Sequence, residues 1–162
     1  MQPPPRTVDY LRISITDRCN ERCLYCMPEG FTGWQERGEI LSYEEILRVC
    51  SVAAGMGFWK FRVTGGEPLV RKDVPGFVGR LSKIPGVRAI GMTTNGTRLA
   101  PAAKALREAG LRAINISLDA LTPSIYRRIT GGEVGPVLEG IRAAARAGFE
   151  RVKLNMVLIR GM

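Results

Sequence analysis

The sequence predicts an α/β fold, a partial barrel of parallel strands. Short strand patterns alternate with longer helical patterns along the 162 residues, which is typical of parallel sheets with right-handed crossovers. Each predicted strand also keeps one polar or small face, unlike strands that are covered on both faces. We therefore expect about five βα units of an incomplete TIM-like barrel, with helices on one face and an open, partly cationic concavity on the other.

The first unit begins with a strand over 10–16, where apolar and polar residues alternate strictly. A cysteine-bearing loop follows this strand. Ser42 and Glu45 then form a capping box that begins the first helix, and Gly55 and Gly57 end it.

The same alternation recurs along the rest of the chain. Further strands are predicted over 60–64, 88–94, 112–118 and 152–159. A second helix is predicted near 74–81, and a third runs around Leu99 to Leu106 and is closed by Gly110. A fourth helix begins at the N-cap pair Thr122-Pro123. A fifth runs from Val137 to Ala145 and is closed by Gly148. The polar or small strand faces comprise Arg12, Ser14 and Thr16; Lys60, Arg62 and Thr64; Ala89, Gly91 and Thr93; Asn115, Ser117 and Asp119; and Lys153 and Asn155. Such a face predicts a bound polar ligand, the alternative being a face that another segment or a partner covers.

Composition excludes several kinds of chemistry. The chain has no histidine, which rules out Ser–His and Cys–His catalysis and histidine metal ligands. The net charge of +9 favours an anionic partner such as a nucleotide, nucleic acid or acidic lipid, or else reflects a solvated surface. No apolar run approaches the roughly 20 residues of a membrane span, and the N-terminus lacks the pattern of a signal peptide. We expect a cytoplasmic protein with no membrane partner.

Three of the four cysteines, Cys19, Cys23 and Cys26, lie within eight residues. Three thiolates leave a structural zinc site incomplete, whereas iron–sulfur clusters are held by thiolates. A cubane held by three cysteines would keep one iron open to a ligand. Arg18 and Arg22 are expected to lower the pKa of the thiols.

Other interpretations of these cysteines are a disulfide or thiols without a metal. An odd cluster in a chain expected in the cytoplasm argues against a disulfide framework. The fourth cysteine, Cys50, lies on the apolar face of the first predicted helix, so we assign it to the core.

The spacing Cys-x3-Cys-x2-Cys beyond a first strand resembles the radical S-adenosylmethionine (SAM) superfamily. Thr64-Gly65-Gly66-Glu67-Pro68 follows the second strand, as the Gly-Gly-Glu-Pro motif does in that superfamily. The resemblance implies a [4Fe–4S] cluster whose open iron chelates SAM. It also implies an electron donor, because one electron from the cluster cleaves SAM to methionine and a deoxyadenosyl radical.

Further segments resemble the family of GTP cyclases that open molybdenum-cofactor biosynthesis, namely 11–20, 25–29, 62–71, 93–96, 115–119, 126–132 and 153–155. The resemblance implies radical abstraction of the ribose C3′ hydrogen of GTP and attack of that carbon on guanine C8, which gives 3′,8-cyclo-7,8-dihydro-GTP. It assigns SAM binding to Tyr25, Gly66, Glu67 and Ser117, and GTP binding to Arg12, Arg62, Thr93 and Lys153. It leaves open the roles of Asn95, Asp119, Arg71 and Arg128.

The sequence departs from that family in its length. The resembling cyclases are longer and carry a C-terminal cysteine triplet for a second [4Fe–4S] cluster, and those ligands are absent here. We therefore expect residues 1–162 to form a single radical SAM domain that is truncated on its C-terminal side. Such a fragment would leave an open sheet edge, which predicts self-association or a homodimer.

Three other functions stay open. The chain could be another radical SAM enzyme that acts on RNA or a peptide, although no aromatic-rich basic stretch favours nucleic acid. It could be a non-catalytic iron–sulfur or electron-transfer module, or a structural zinc module.

Overall fold

The computed structural model describes residues 8–27 and 30–161 and contains one parallel five-stranded sheet in the order β1-β2-β3-β4-β5. The strands are β1 Tyr10–Ser14, β2 Lys60–Thr64, β3 Ala89–Thr94, β4 Ala113–Ser117 and β5 Arg151–Asn155. The helices are α1 Tyr43–Gly55, α2 Val74–Leu81, α3 Leu99–Glu108, α4 Pro123–Thr130 and α5 Val134–Ala147. Pro28 and Glu29, in the motif over 25–29, and the segment before residue 8 lie outside the described residues. Among the described residues, no helix is long and apolar enough to cross a bilayer.

The predicted elements are all present, but β1 and β5 end two and four residues earlier than expected, and β4 ends one residue earlier. β1 ends at Ser14, although the Ile15 amide still donates to Thr64 O at 2.9 Å. β5 ends at Asn155, since the amide of Val157 donates to the side chain of Asp119 at 2.9 Å. After Ser14 the next ladder partner is a loop group, since Thr16 O accepts the amide of Gly66 at 2.7 Å. Both strands therefore end where loop groups take over the hydrogen bonds of the backbone.

The sheet buries one face, as predicted. Its apolar side chains pack against the helices and are at most 3% exposed; they are Phe61, Val63, Ile90, Met92, Ile114 and Ile116. Cys50 of α1 lies in the same core and is fully buried, as expected. The opposite face carries polar side chains that keep access to solvent, such as Arg62, Thr93 and Asn115. The edge strand β5 is exposed along its whole length.

Candidate functional site

The cysteine loop, residues 15–27, is fixed at its start by the turn after β2. The amide of Gly66 donates to Thr16 O at 2.7 Å, and the amide of Glu67 donates to Arg18 O at 2.8 Å. A Cβ on Gly66 would lie 2.6 Å from the carbonyl carbon of Arg18, and Gly65 has a φ of 149°. Only glycine tolerates such a close backbone approach and such a φ. Gly65 and Gly66 therefore let the cysteine loop pack against the Gly-Gly-Glu-Pro turn that follows β2.

The far part of the same loop is fixed by α4. The amide of Arg22 donates to Thr130 O at 2.8 Å, and the hydroxyl of Tyr126 donates to Glu21 Oε1 at 2.7 Å. Glu21 is only 5% exposed. Burial raises the pKa of Glu21 to about 7, and the hydrogen bond from Tyr126 opposes this rise. Sequence reasoning missed this pair, because only the fold brings together residues so far apart in the chain.

A third contact joins the loop to the end of β4. The hydroxyl of Tyr25 donates to Asp119 Oδ2 at 2.5 Å, while Asp119 Oδ1 accepts the amide of Val157 at 2.9 Å. Burial and the bond to Asp119 raise the pKa of the phenol. Asp119, whose role was open, thus links the cysteine loop to the segment after β5. The loop therefore runs from β1 to α4 across the carboxyl ends of the strands, where barrel sites form.

The three clustered thiols are free, with Cys19 and Cys23 partly buried and Cys26 exposed. Burial raises the pKa of Cys19, and it raises that of Cys23 to about 12, with the charge of Glu21 adding to both. The expectation that neighbouring arginines lower these pKa values is therefore wrong.

Those arginines are engaged elsewhere. The guanidinium groups of Arg18 and Arg22 each lie 5.2 Å from the ring centroid of Trp34, so the indole accepts two cation–π contacts. Arg22 also donates to the carbonyl of Cys19 at 2.9 Å. The two cations therefore contact Trp34, and Arg22 also holds the backbone at the first cysteine.

The chemistry of the donor set is that of an iron–sulfur cluster held by thiolates, since three cysteines lie on one loop. The amide of Glu21, at 3.5 Å from Cys19 Sγ, already donates towards one of them.

Glu67 is fully buried and ties two loops together. Its carboxylate accepts the hydroxyl of Thr94 at 2.7 Å, the amide of Asn95 at 2.6 Å and the amide of Leu69 at 3.0 Å. Burial raises the pKa of Glu67, and these three donors oppose the rise. A carboxylate offers about four acceptor sites, so one remains on Oε2. The assignment of Glu67 to SAM binding stays a prediction.

The register arranges the other predicted site residues in rows across the polar face. Ser117 lies opposite Asn155 in the row nearest the cysteine loop. One row further along, Thr93 and Lys153 lie on either side of Asn115. Farther still, Arg12 lies opposite Arg62. Side chains on one face recur every second residue, so neighbouring rows are roughly 6.6 Å apart.

Arg62 lies flat over the next strand and reaches a second predicted residue. Its Nε donates to the hydroxyl of Tyr10 at 2.8 Å, and its Nη1 approaches Thr93 Oγ1 at 3.5 Å. A Cβ on Gly91 would lie 3.1 Å from Nη2. Gly91, which the sequence marked only as a small residue, therefore makes room for the guanidinium, and Tyr10 orients it.

The two remaining arginines differ in their surroundings. Arg71 donates to Ile15 O and to Leu41 O, and its guanidinium lies 4.1 Å from the ring centroid of Tyr43. It is thus engaged within the protein. Arg128 is exposed on α4 and lines a shallow surface pocket.

Comparison with known proteins agrees with this geometry. Residues 13–162 match the sequence profile of the Radical SAM superfamily. The GTP 3′,8-cyclase of Thermodesulfovibrio yellowstonii is 52% identical over 159 residues, which cover 97% of this chain and 49% of that protein. The GTP 3′,8-cyclase of Pelotomaculum thermopropionicum is 53% identical over 157 residues, which cover 96% of this chain and 48% of that protein. The chain thus spans about half the length of the curated relatives it matches.

Solved structures share the fold at low sequence identity. HydG, a maturase of the [FeFe]-hydrogenase, matches with a TM-score of 0.74 over 91% of this chain and 34% of its own, at 17% identity. SuiB of Streptococcus suis, bound to the precursor peptide SuiA, matches with a TM-score of 0.76 over 95% of this chain and 34% of its own, at 17% identity. These similarities confirm the predicted partial TIM-like barrel. Because the superfamily profile matches nearly the whole chain, the chain belongs to the radical SAM superfamily.

Proposed function

We propose that the protein carrying this chain is a radical SAM enzyme that converts GTP to 3′,8-cyclo-7,8-dihydro-GTP in molybdopterin biosynthesis. The observation that carries the proposal is the order of the site along the strands. The cysteine loop lies at the carboxyl ends, Gly66 and Ser117 lie beside it, and the four residues assigned to GTP lie in the two rows beyond. Identity of 52% to a GTP 3′,8-cyclase supports this substrate over others.

Membership of the superfamily implies a [4Fe–4S] cluster and SAM. Cys19, Cys23 and Cys26 would hold the cluster and leave one iron for SAM. When bound, the cluster supplies the electron that cleaves SAM into methionine and a deoxyadenosyl radical. An external electron donor is part of the proposal.

The residues proposed for SAM are fixed before any ligand binds. Gly66 is held against the cysteine loop through its amide, and the phenol of Tyr25 is held by Asp119. Ser117 ends β4 at the same edge. Glu67 is fully buried and accepts three hydrogen bonds, so it would meet an ammonium group only after a local rearrangement. SAM would thus lie between the cysteine loop and the ends of β2 and β4, where Gly66 and Tyr25 need little reorganisation.

The residues proposed for GTP are mostly cationic. Guanidinium groups suit phosphate because they offer paired donors, and Arg12 and Arg62 lie opposite each other in one row. Thr93 contacts Arg62, and the ammonium group of Lys153 adds a cation from β5. We place the anionic part of the nucleotide at the arginine row, roughly 13 Å from the row of Ser117.

The test is anaerobic reconstitution of the protein that carries this chain, with iron and sulfide counted and with deoxyadenosine and cyclised GTP assayed. Cys23→Ser should lose iron and both products. Cys50→Ala changes a buried cysteine outside the site and should keep its iron. Deoxyadenosine formation without any cyclised GTP would favour a radical enzyme for RNA or a peptide. Zinc without iron and sulfide would favour a structural module.

Three further predictions stay untested. The second [4Fe–4S] cluster needs ligands other than those of this chain, because Cys50 is committed to the core. Self-association through β5 is consistent with the exposed edge strand. A cytoplasmic location also remains a proposal.

A further inference from the structure

A ring of three hydrogen bonds joins the cysteine loop to the turn after β3. Asn95 Nδ2 donates to Asn20 Oδ1 at 3.0 Å, and Asn20 Nδ2 donates to Thr97 Oγ1 at 2.8 Å. Thr97 Oγ1 donates in turn to Asn95 Oδ1 at 2.8 Å. The donors run in one direction around the ring, so each bond polarises the next. Because Asn20 directly follows Cys19, the ring fixes the chain at the first cysteine.

The surroundings of Asn95 determine which way its amide points. The backbone N–H of Thr97 can only donate, and it donates to Asn95 Oδ1 at 3.1 Å. The amide nitrogen must therefore face the cysteine loop, where it lies 4.0 Å from Cys19 Sγ, at the long end of the range for an N–H···S contact. The backbone N–H of Asn95 is bound separately by the buried Glu67 at 2.6 Å. One residue thus contacts both the cysteine loop and the turn after β2.

We propose that Asn95 is a positioning residue for the iron–sulfur site, which holds Cys19 in place and directs an amide N–H at its sulfur. The inference rests on the proposed function only in requiring a cluster on Cys19. An N–H directed at a ligating sulfur stabilises the more negative, reduced state of a cluster and so raises its reduction potential. Removal of the amide should free Cys19 in the metal-free protein and lower the potential of the loaded protein.

The first experiment uses the reduced, metal-free protein. Asn95→Ala is compared with Ser51→Ala, which removes an exposed hydroxyl on α1 outside the site. Alkylation of Cys19 by iodoacetamide is followed by mass spectrometry over a range of pH and expressed as the rate per thiolate, because loss of the amide N–H also lowers the thiolate fraction; the exposed Cys26 is the internal reference. We expect Asn95→Ala to speed alkylation of Cys19 about tenfold, which corresponds to about 1.4 kcal/mol of lost loop stabilisation. An unchanged ratio of Cys19 to Cys26 alkylation would overturn the positioning role.

The second experiment measures the reduction potential after anaerobic reconstitution, by a titration followed by electron paramagnetic resonance. Asn95→Asp joins the comparison because it keeps the size and the acceptor for Thr97 but loses the donor. At equal iron content, both Asn95 variants should have a lower potential than wild type and Ser51→Ala. Potentials equal to the control would overturn the donor role. If wild type itself binds no iron, the proposed function fails, while the alkylation ratio still decides whether Asn95 positions Cys19.

Discussion

Gly66→Ala is expected to destabilise the cofactor-free protein by about 3–5 kcal/mol. The new Cβ would lie 2.6 Å from the carbonyl carbon of Arg18 and closer still to two backbone oxygens of the cysteine loop. Backbone on both sides of this contact has no rotamer with which to avoid the overlap. The cysteine loop and the turn after β2 must therefore separate.

Two effects set the magnitude. Overpacking of a tight contact costs about 1–3 kcal/mol. Separation also breaks the bonds from Gly66 to Thr16 and from Glu67 to Arg18, at 2.7 and 2.8 Å, and each is worth about 1 kcal/mol. Small domains have only about 5–15 kcal/mol of stability in total, so the change should be easy to measure.

The assay is urea unfolding followed by circular dichroism, without iron or SAM. Gly55→Ala in α1 is the matched control, because a Cβ there meets nothing within 4 Å; it should leave the stability unchanged or raise it by up to about 1 kcal/mol through its better helix propensity. If Gly66 served only to admit a ligand, both variants would have similar midpoints in this assay. Equal midpoints with equal slopes would therefore refute the reasoning.

Three further substitutions test, one at a time, ligand binding, the loss of a buried hydrogen-bond donor and the packing of the core. Gly91→Ala should displace the guanidinium of Arg62 and weaken GTP binding in calorimetry, with stability changed by less than about 1 kcal/mol, since the gain of Ala over Gly in a strand offsets lost contacts; unchanged GTP affinity would contradict this. Tyr126→Phe leaves Glu21 Oε1 without its donor and should cost about 1–3 kcal/mol in urea unfolding, and a loss near zero would show that Glu21 finds another partner. Leu106→Ala in the fully buried core should cost about 2–5 kcal/mol by the same measurement, and a smaller loss would mean that the core collapses around the site.

The helices and strands were predictable because their signals are local. Alternation defined β2 at its observed ends, and the capping box at Ser42 forms as predicted. The ends of β1 and β5 were not predictable in the same way. Each depends on a loop that replaces a ladder partner, such as Asp119 binding the amide of Val157. No pattern within either strand carries that information.

The residues of the candidate site likewise fall into those that a local pattern predicts and those that only the fold brings together. Motif spacing located the cysteines and the Gly-Gly-Glu-Pro turn, since these residues are contiguous. The pairs Glu21–Tyr126 and Tyr10–Arg62 join residues 105 and 52 positions apart, so only the fold reveals them. The arginines beside Cys19 misled the prediction of thiol pKa values, because sequence proximity does not show that their guanidinium groups face Trp34.

The residues of the Gly-Gly-Glu-Pro turn stabilise the protein in the absence of any ligand. Gly66 and Glu67 hold the cysteine loop through their amides, and the Glu67 carboxylate binds Thr94 and Asn95. A substitution at Gly66 or Glu67 therefore moves the cysteines as well as the proposed SAM site. Loss of activity in such a variant does not by itself identify a ligand contact. Stability and cysteine accessibility in the metal-free protein must be measured first, because only a variant that leaves both unchanged reports on SAM binding alone.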